Sequence, residues 1–226
     1  MMAKLLSRYN ESLQRGLPKM NLETSKNLGG VGALLVVIGG LAFFGSPYAG
    51  LLDLIGVILM LIAMKGFADN YKESGIFNNV LYGFILTIIG VIVAAAIAVV
   101  TILSTLVDLG IDFANPSGWV TQFPELLTTN MDALFNIITG IVAAGIVVFI
   151  FAIVSAIFYR KSLGLLASKT AVGMFSTAGL LLLIGAVLTI VLIGFILIWI
   201  AFILIAVAFF SVRPQVSQQP AAPLPS

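Results

Sequence analysis

The sequence predicts an all-α fold: a polytopic transmembrane helical bundle of about six spans with both termini cytoplasmic. Three observations carry this expectation. Of 226 residues, 61% are hydrophobic and only 9% charged, against the roughly 25% charged of an ordinary soluble domain. The apolar residues gather into runs long enough to cross a hydrocarbon layer of about 30 Å. The basic residues all fall on alternate connections between those runs. No water-soluble fold hides so much apolar surface, whereas a helix in lipid can turn its apolar side outward.

Residues 1–27 form a cytoplasmic N-terminal segment carrying Lys4, Arg8, Arg15, Lys19 and Lys26. Leu5, Leu6, Tyr9 and Leu13 recur there at near-helical spacing, so a short helix lying on the lipid surface is expected. The charged stretch is too long for a cleavable signal peptide, and no small-residue cleavage site follows the first apolar run cleanly. The first span is therefore expected to stay. The transmembrane domain covers residues 28–212, with spans at about 28–44, 49–67, 80–107, 132–158, 173–190 and 195–212. Gly45-Ser46-Pro47-Tyr48 makes a tight turn between the first two, since proline stops the helix and glycine supplies an unusual backbone angle. Spans three and four are long enough to tilt or to project beyond the membrane. Residues 172–212 contain no charge; as one helix they would measure about 60 Å, twice the hydrocarbon thickness. This run must fold back, and Gly194 is the expected break. Residues 213–226 are a proline-rich tail, expected to be disordered.

Topology follows from charge. With six spans and the N-terminus inside, the inner segments hold the five N-terminal basic residues, then Lys65 and Lys72, then Arg160, Lys161 and Lys169, and finally Arg213. That is all eleven, while the long outer loop and its edges carry Asp108, Asp112, Glu125 and Asp132. Positive charge kept inside is the usual determinant of orientation. A weak internal echo links the first and last hairpins: residues 33–39 resemble residues 179–185, and Leu61-Ile62-Ala63 resembles Leu204-Ile205-Ala206. Duplication would make this a parallel repeat rather than the inverted kind common in transporters; chance matching in a chain so rich in Leu, Ile and Gly is the competing reading.

Composition also removes chemistry. The absence of cysteine excludes disulfides, thiolate catalysis and Cys-ligated zinc or iron–sulfur sites. The absence of histidine removes the usual haem and copper ligands, the commonest general base and the usual pH switch. The net charge of +2 is what topology alone demands, so no nucleic-acid partner is expected. No catalytic, cofactor-binding or metal-ligating set is recognisable, and no cofactor is implied.

Three residues stand out as functional candidates. Asp53 is the one carboxylate inside an apolar run. Intramembrane acids often mark ion or substrate pathways, but an interfacial aspartate helped by the helix N-terminal dipole is the simpler reading. Asn78 and Asn79 stand just before span three, where capping of free backbone N–H groups is preferred over ligand binding. Lys65 and Asp69 are spaced for a local ion pair. Tyr71, Tyr82 and Tyr159 on the inner side, with Tyr48 and Trp119 on the outer, fit interfacial aromatic belts. Gly90, Ala94 and Ala98 in span three and Gly140 with Ala144 in span four recur at helix-contact spacing. Thr87, Thr101, Ser104, Asn136, Thr139, Ser155 and Thr189 are expected to hydrogen-bond across helices in packing rather than to line a narrow polar path. The outer loop has a turn at Asn115-Pro116-Ser117-Gly118 and then a stretch from Trp119 to Met131 expected to rest on the membrane.

Lys65-Gly66-Phe67-Ala68-Asp69-Asn70-Tyr71, followed by Ile76-Phe77-Asn78-Asn79-Val80-Leu81-Tyr82-Gly83-Phe84, resembles the inner-loop signature of an archaeal membrane family known as domain of unknown function 996. The run from Thr177 to Ser211 is similar to that family's C-terminal end. The resemblance implies an archaeal plasma-membrane protein and brings no activity with it. The expectation is a non-enzymatic structural, accessory or regulatory membrane component, with the lipid bilayer as its surroundings and a homo-oligomer or another membrane protein as the partner to look for. A small-solute or ion channel or transporter is the alternative, resting on six spans, the hairpin echo and Asp53.

Overall fold

The computed structural model describes residues 20–42, 49–111, 124–125 and 128–213. The expected surface helix before residue 20, the turn at residues 45–48, most of the long loop with Trp119, and the C-terminal tail lie outside the described residues. Among those described there is no strand, and six helices follow in order: α1 (Leu22–Ala42), α2 (Ala49–Tyr71), α3 (Ser74–Asp108), α4 (Met131–Thr170), α5 (Met174–Leu188) and α6 (Ile193–Ser211). Each is long and apolar enough to cross a membrane, α5 when its closing 3₁₀ turn is included.

All eight prolines fall outside these helices, so no backbone ladder is broken from within. Asparagine caps open two of them: Thr24 N donates to Asn21 Oδ1 at 2.6 Å before α1, and Ala133 N donates to Asn130 Oδ1 at 3.2 Å at the start of α4. The helices overrun several expected spans. α1 starts at its cap rather than at residue 28, α3 starts at Ser74 rather than 80, and α4 continues to Thr170 rather than 158. Hydropathy ends a span at the first charges, but Arg160, Lys161, Leu163, Leu165, Leu166 and Ala167 are good helix formers, and no proline there stops the ladder. At 1.5 Å per residue α3 and α4 measure about 52 and 60 Å, well beyond a bilayer's hydrocarbon core.

Three short links are each turned by a non-glycine residue in the left-handed region: Lys72 (φ 52°) between α2 and α3, Ala171 (φ 57°) between α4 and α5, and Leu192 (φ 65°) between α5 and α6. The last corrects the expected break at Gly194. A 3₁₀ turn, Thr189–Val191, closes α5, and Leu192 reverses the chain, its N–H donating to Thr189 O. Gly194 lies inside α6, where the backbone of α5 at Gly185 comes so close that a Cβ would collide with its carbonyl oxygen. Glycine is spent on the helix crossing, and leucine bears the turn.

The chain divides into two compact units. One comprises residues up to 80, residues 161–179, and residues 199 onward. Its centre is the α1–α2 hairpin, which crosses at Gly32 and Gly56: a Cβ on either would lie 2.6 Å from the other's carbonyl oxygen. Around the N-terminal part of α1 the rings of Phe67, Phe175 and Phe209 are fully buried, with Phe209 at 5.7 Å from Phe67 and 5.0 Å from Phe175, and Gly29 leaves the space Phe209 occupies. These contacts gather the start of α1, the end of α2, the start of α5 and the end of α6. Lys26, Lys65, Lys72, Lys161, Lys169 and Arg213 all fall in this unit. Lys169 pairs with Glu73 at 3.2 Å and Lys65 with Asp69 at 2.9 Å; Lys65 also lies 5.5 Å from the Phe77 ring centroid.

The second unit, residues 81–160 and 180–198, holds the antiparallel α3–α4 seam and the α5–α6 crossing just described. Along the seam Gly83 faces Tyr159, Gly90 faces Phe151 and Gly140 faces Thr101, so the small residues act as within-chain contacts. Asn136 Nδ2 donates to Thr105 Oγ1 at 2.9 Å, and the hydroxyls of Thr87 and Tyr159 share a hydrogen bond at 3.2 Å. The outward residues of both helices, among them Val91, Ile92, Val100, Val107, Ile141 and Val142, are exposed and aliphatic.

Candidate functional site

The side chains that sequence singled out do not converge. Asn78 and Asn79 sit in the second turn of α3, not at its start, because the helix begins at Ser74. The expected capping role therefore falls away: Asn78 is exposed, and Asn79 turns back to donate to Gly75 O at 2.7 Å. Asp53 lies near the other end of α2, with about 27 Å of helix between it and Tyr71 at 1.5 Å per residue.

Asp53 is where the first hairpin departs from an apolar packing pattern. It occupies the second turn of α2 and points at α1, where Gly39 makes room for it; a Cβ on Gly39 would collide with Asp53 Oδ1 and lie 3.2 Å from Asp53 N. The next residue, Gly40, lies beside the Trp199 ring of α6, which would be 3.6 Å from a Cβ placed there. Trp199 Nε1 donates to Val37 O at 3.1 Å, a bond spanning 162 positions of sequence. The Gly39-Gly40 pair thus lets a carboxyl from one neighbouring helix and an indole from another press against the backbone of α1. The two polar groups fare differently. The indole N–H is satisfied, whereas Asp53 Oδ1 is buried without a hydrogen-bond partner although the residue as a whole is half-buried.

The buried oxygen is the one pressed against α1. Elsewhere the buried polar side chains are mostly paired: Ser25 Oγ donates to Asn21 O at 3.1 Å, Thr105 Oγ1 to Thr101 O at 2.8 Å, and Ser162 Oγ of α4 to Ile76 O of α3. Ser155 Oγ is the other buried side-chain oxygen without a partner among the described residues. Those described residues hold no group of three or more carboxylates arranged to bind a metal ion.

Sequence reading missed Trp199, Asn70, Ser162 and the Glu73–Lys169 pair. Asn70 Nδ2 donates to Met20 O at 2.8 Å and to Gly66 O at 2.8 Å, tying the entrance of α1 to the exit of α2. Trp199 had one signal available, as the only side chain with a polar atom in α6 before Ser211, but its partner is a main-chain carbonyl that leaves no trace in sequence.

No solved structure matches the chain. The chain is 30% identical, over 180 residues, to the uncharacterized protein MJ1644 of Methanocaldococcus jannaschii; the match takes in 80% of this chain and 86% of the relative. A family model described as "Protein of unknown function (DUF996)" matches residues 52–203, a stretch that contains Asp53, Asn78, Asn79 and Trp199 and leaves α1 outside. With helices α2 to α5 and half of α6 inside that match, the chain belongs to the DUF996 family.

Proposed function

We propose that this protein is a multi-pass component of the plasma membrane, crossing it six times with both termini in the cytoplasm, and that it serves as a non-enzymatic structural or accessory partner of other membrane proteins. The observation that carries the reading is how its polar side chains are used. Asn70 to Met20, Trp199 to Val37, Ser162 to Ile76, Asn136 to Thr105 and Thr87 with Tyr159 each join one segment of the bundle to another. In lipid such bonds contribute about 0.6 kcal/mol apiece on average, so five supply about 3 kcal/mol of cohesion. Groups committed in this way hold helices together and present aliphatic surface to whatever surrounds them. The orientation is supported by the distribution of basic residues, since the helix ends that carry them are those assigned to the cytoplasm.

The test is purification of a tagged chain from its native membrane in mild detergent. The expected result is a stoichiometric complex with a second membrane protein. A chain that purifies alone and moves ions or small solutes across proteoliposomes would contradict the proposal and favour a channel or transporter.

A further inference from the structure

Where α5 turns into α6, six large apolar side chains stand clear of the rest of their unit. Ile190 and Leu192 are 72% and 71% exposed, and Val191, Ile193, Phe195 and Ile196 are each more than half exposed. All six lie in the second compact unit. We infer that this tip is a lipid-binding surface: the α5–α6 hairpin ends at the boundary between acyl chains and headgroups, with its side chains spread among the acyl chains and its turn held out of bulk water. The inference rests on the reading of these helices as membrane-crossing, and not on the accessory role.

Side-chain chemistry is the first support. From Thr189 to Ile198 the one polar side chain is the Thr189 hydroxyl, and it is spent on Gly185 O at 2.8 Å. The other short links are marked for water: Lys72 and Glu73 lie between α2 and α3, and Lys169 and Thr170 close α4 just before its link to α5. A turn in water ordinarily carries such polar residues. A contiguous apolar patch of this kind marks contact with a membrane or a partner.

Length and backbone set the depth. With its 3₁₀ turn α5 runs 18 residues, Met174–Val191, and α6 runs 19; at 1.5 Å per residue each leg is about 27–29 Å long, against about 30 Å of hydrocarbon. Lys169 stands five residues before α5 and Arg213 two residues after α6, so charges mark the inner boundary at the foot of both legs. A hairpin rising from there reaches the far edge of the acyl region and stops. At that edge the turn meets both of its needs. Leu192 N–H donates to Thr189 O and Phe195 N–H to Leu192 O at 3.3 Å, but a 3₁₀ turn followed by a left-handed residue interrupts the helical ladder. Main-chain groups freed by such a break are not left bare in the lipid interior. The apolar side chains draw the tip inward, and the open backbone holds it at the headgroups. A partner that engages this hairpin therefore approaches it from within the bilayer rather than from the outer solution.

The test uses spin labels on the full chain reconstituted in liposomes, which is clean because the chain has no cysteine. Single cysteines are introduced as Ile190→Cys and Leu192→Cys, at side chains exposed enough to accept a label. Ile92→Cys, on the exposed face of α3, is the lipid reference, and Ser217→Cys, in the proline-rich tail, is the water reference. Each label is challenged with oxygen, which concentrates among acyl chains, and with a water-soluble nickel chelate, which is excluded from them. Labels at 190 and 192 should resemble the label at 92 in colliding more with oxygen than with nickel, and the order should reverse at 217. Nickel dominance at 190 and 192 with oxygen dominance at 92 would overturn the inference and leave the membrane-crossing reading standing. Shielding of 190 and 192 from both reagents would place protein over the tip and overturn it equally. Nickel dominance at 92 as well would overturn the membrane-crossing reading, and the inference with it.

Discussion

At the scale of single residues, the protein is governed by what sits opposite a glycine. Gly39 is the sharpest instance, since the atom that fills its missing side chain is a carboxyl oxygen. Gly39→Ala forces Asp53 aside or the two backbones apart, and overpacking of this kind costs about 1–3 kcal/mol. In an Asp53→Ala background the same substitution should cost markedly less, because the obstructing atom is gone; residues in direct contact couple by about 0.5–3 kcal/mol. Thermal or denaturant unfolding of the four proteins in detergent measures this, and additive effects would show that the two residues do not meet. Asp53 was visible in the sequence because an acid in an apolar run stands out. Its partner was not, because Gly39 is one of 22 glycines and nothing in the residue type says which ones face a neighbour. Asn78 and Asn79 were misread for a related reason: hydropathy places the start of a span at its first apolar residue, whereas the ladder of α3 starts a turn earlier, at Ser74.

At the scale of elements, the helices were legible and their joints were not. Apolar runs free of proline could only be helices in lipid, and each of the six expected spans overlaps one observed helix. The α5–α6 joint had no charge, proline or polar cluster to mark it, so glycine was the natural choice for the reversal. The structure divides the tasks, with Leu192 taking the left-handed turn and Gly194 the close crossing on Gly185. A left-handed conformation costs a non-glycine residue about 1–2 kcal/mol, and the Leu192 side chain is exposed, so little packing is lost with it. Leu192→Gly should therefore hold or raise the unfolding temperature. Gly194→Leu should lower it severely, since no rotamer moves a backbone carbonyl out of the way. Equal tolerance at both positions would mean that the helices do not cross at Gly194. In the first hairpin the crossing falls at Gly32 and Gly56, and Gly39, the echo of Gly185, is again a point of closest approach.

At the scale of the whole molecule, charge and hydrogen bonding divide the labour. All the described basic residues except Arg160 fall in one compact unit, where the exposed Lys65–Asp69 pair contributes little to stability and position matters more than pairing. The helix interfaces are held by scattered polar bonds and by glycine contacts, with Asp53 as the ionisable exception. Membership of DUF996 brings no activity, so what the protein does rests on the arrangement of its helices in a bilayer. That arrangement is open to an unusually clean measurement because the chain has no cysteine. Single cysteines introduced as Ser7→Cys, Ser117→Cys and Ser217→Cys can be probed in intact cells with a membrane-impermeant maleimide, and again after lysis. Six crossings with both termini cytoplasmic require that only the position 117 cysteine reacts in intact cells and that all three react after lysis. A cysteine at position 217 that reacts in intact cells while one at position 7 does not would mean an odd number of crossings, and would contradict the account.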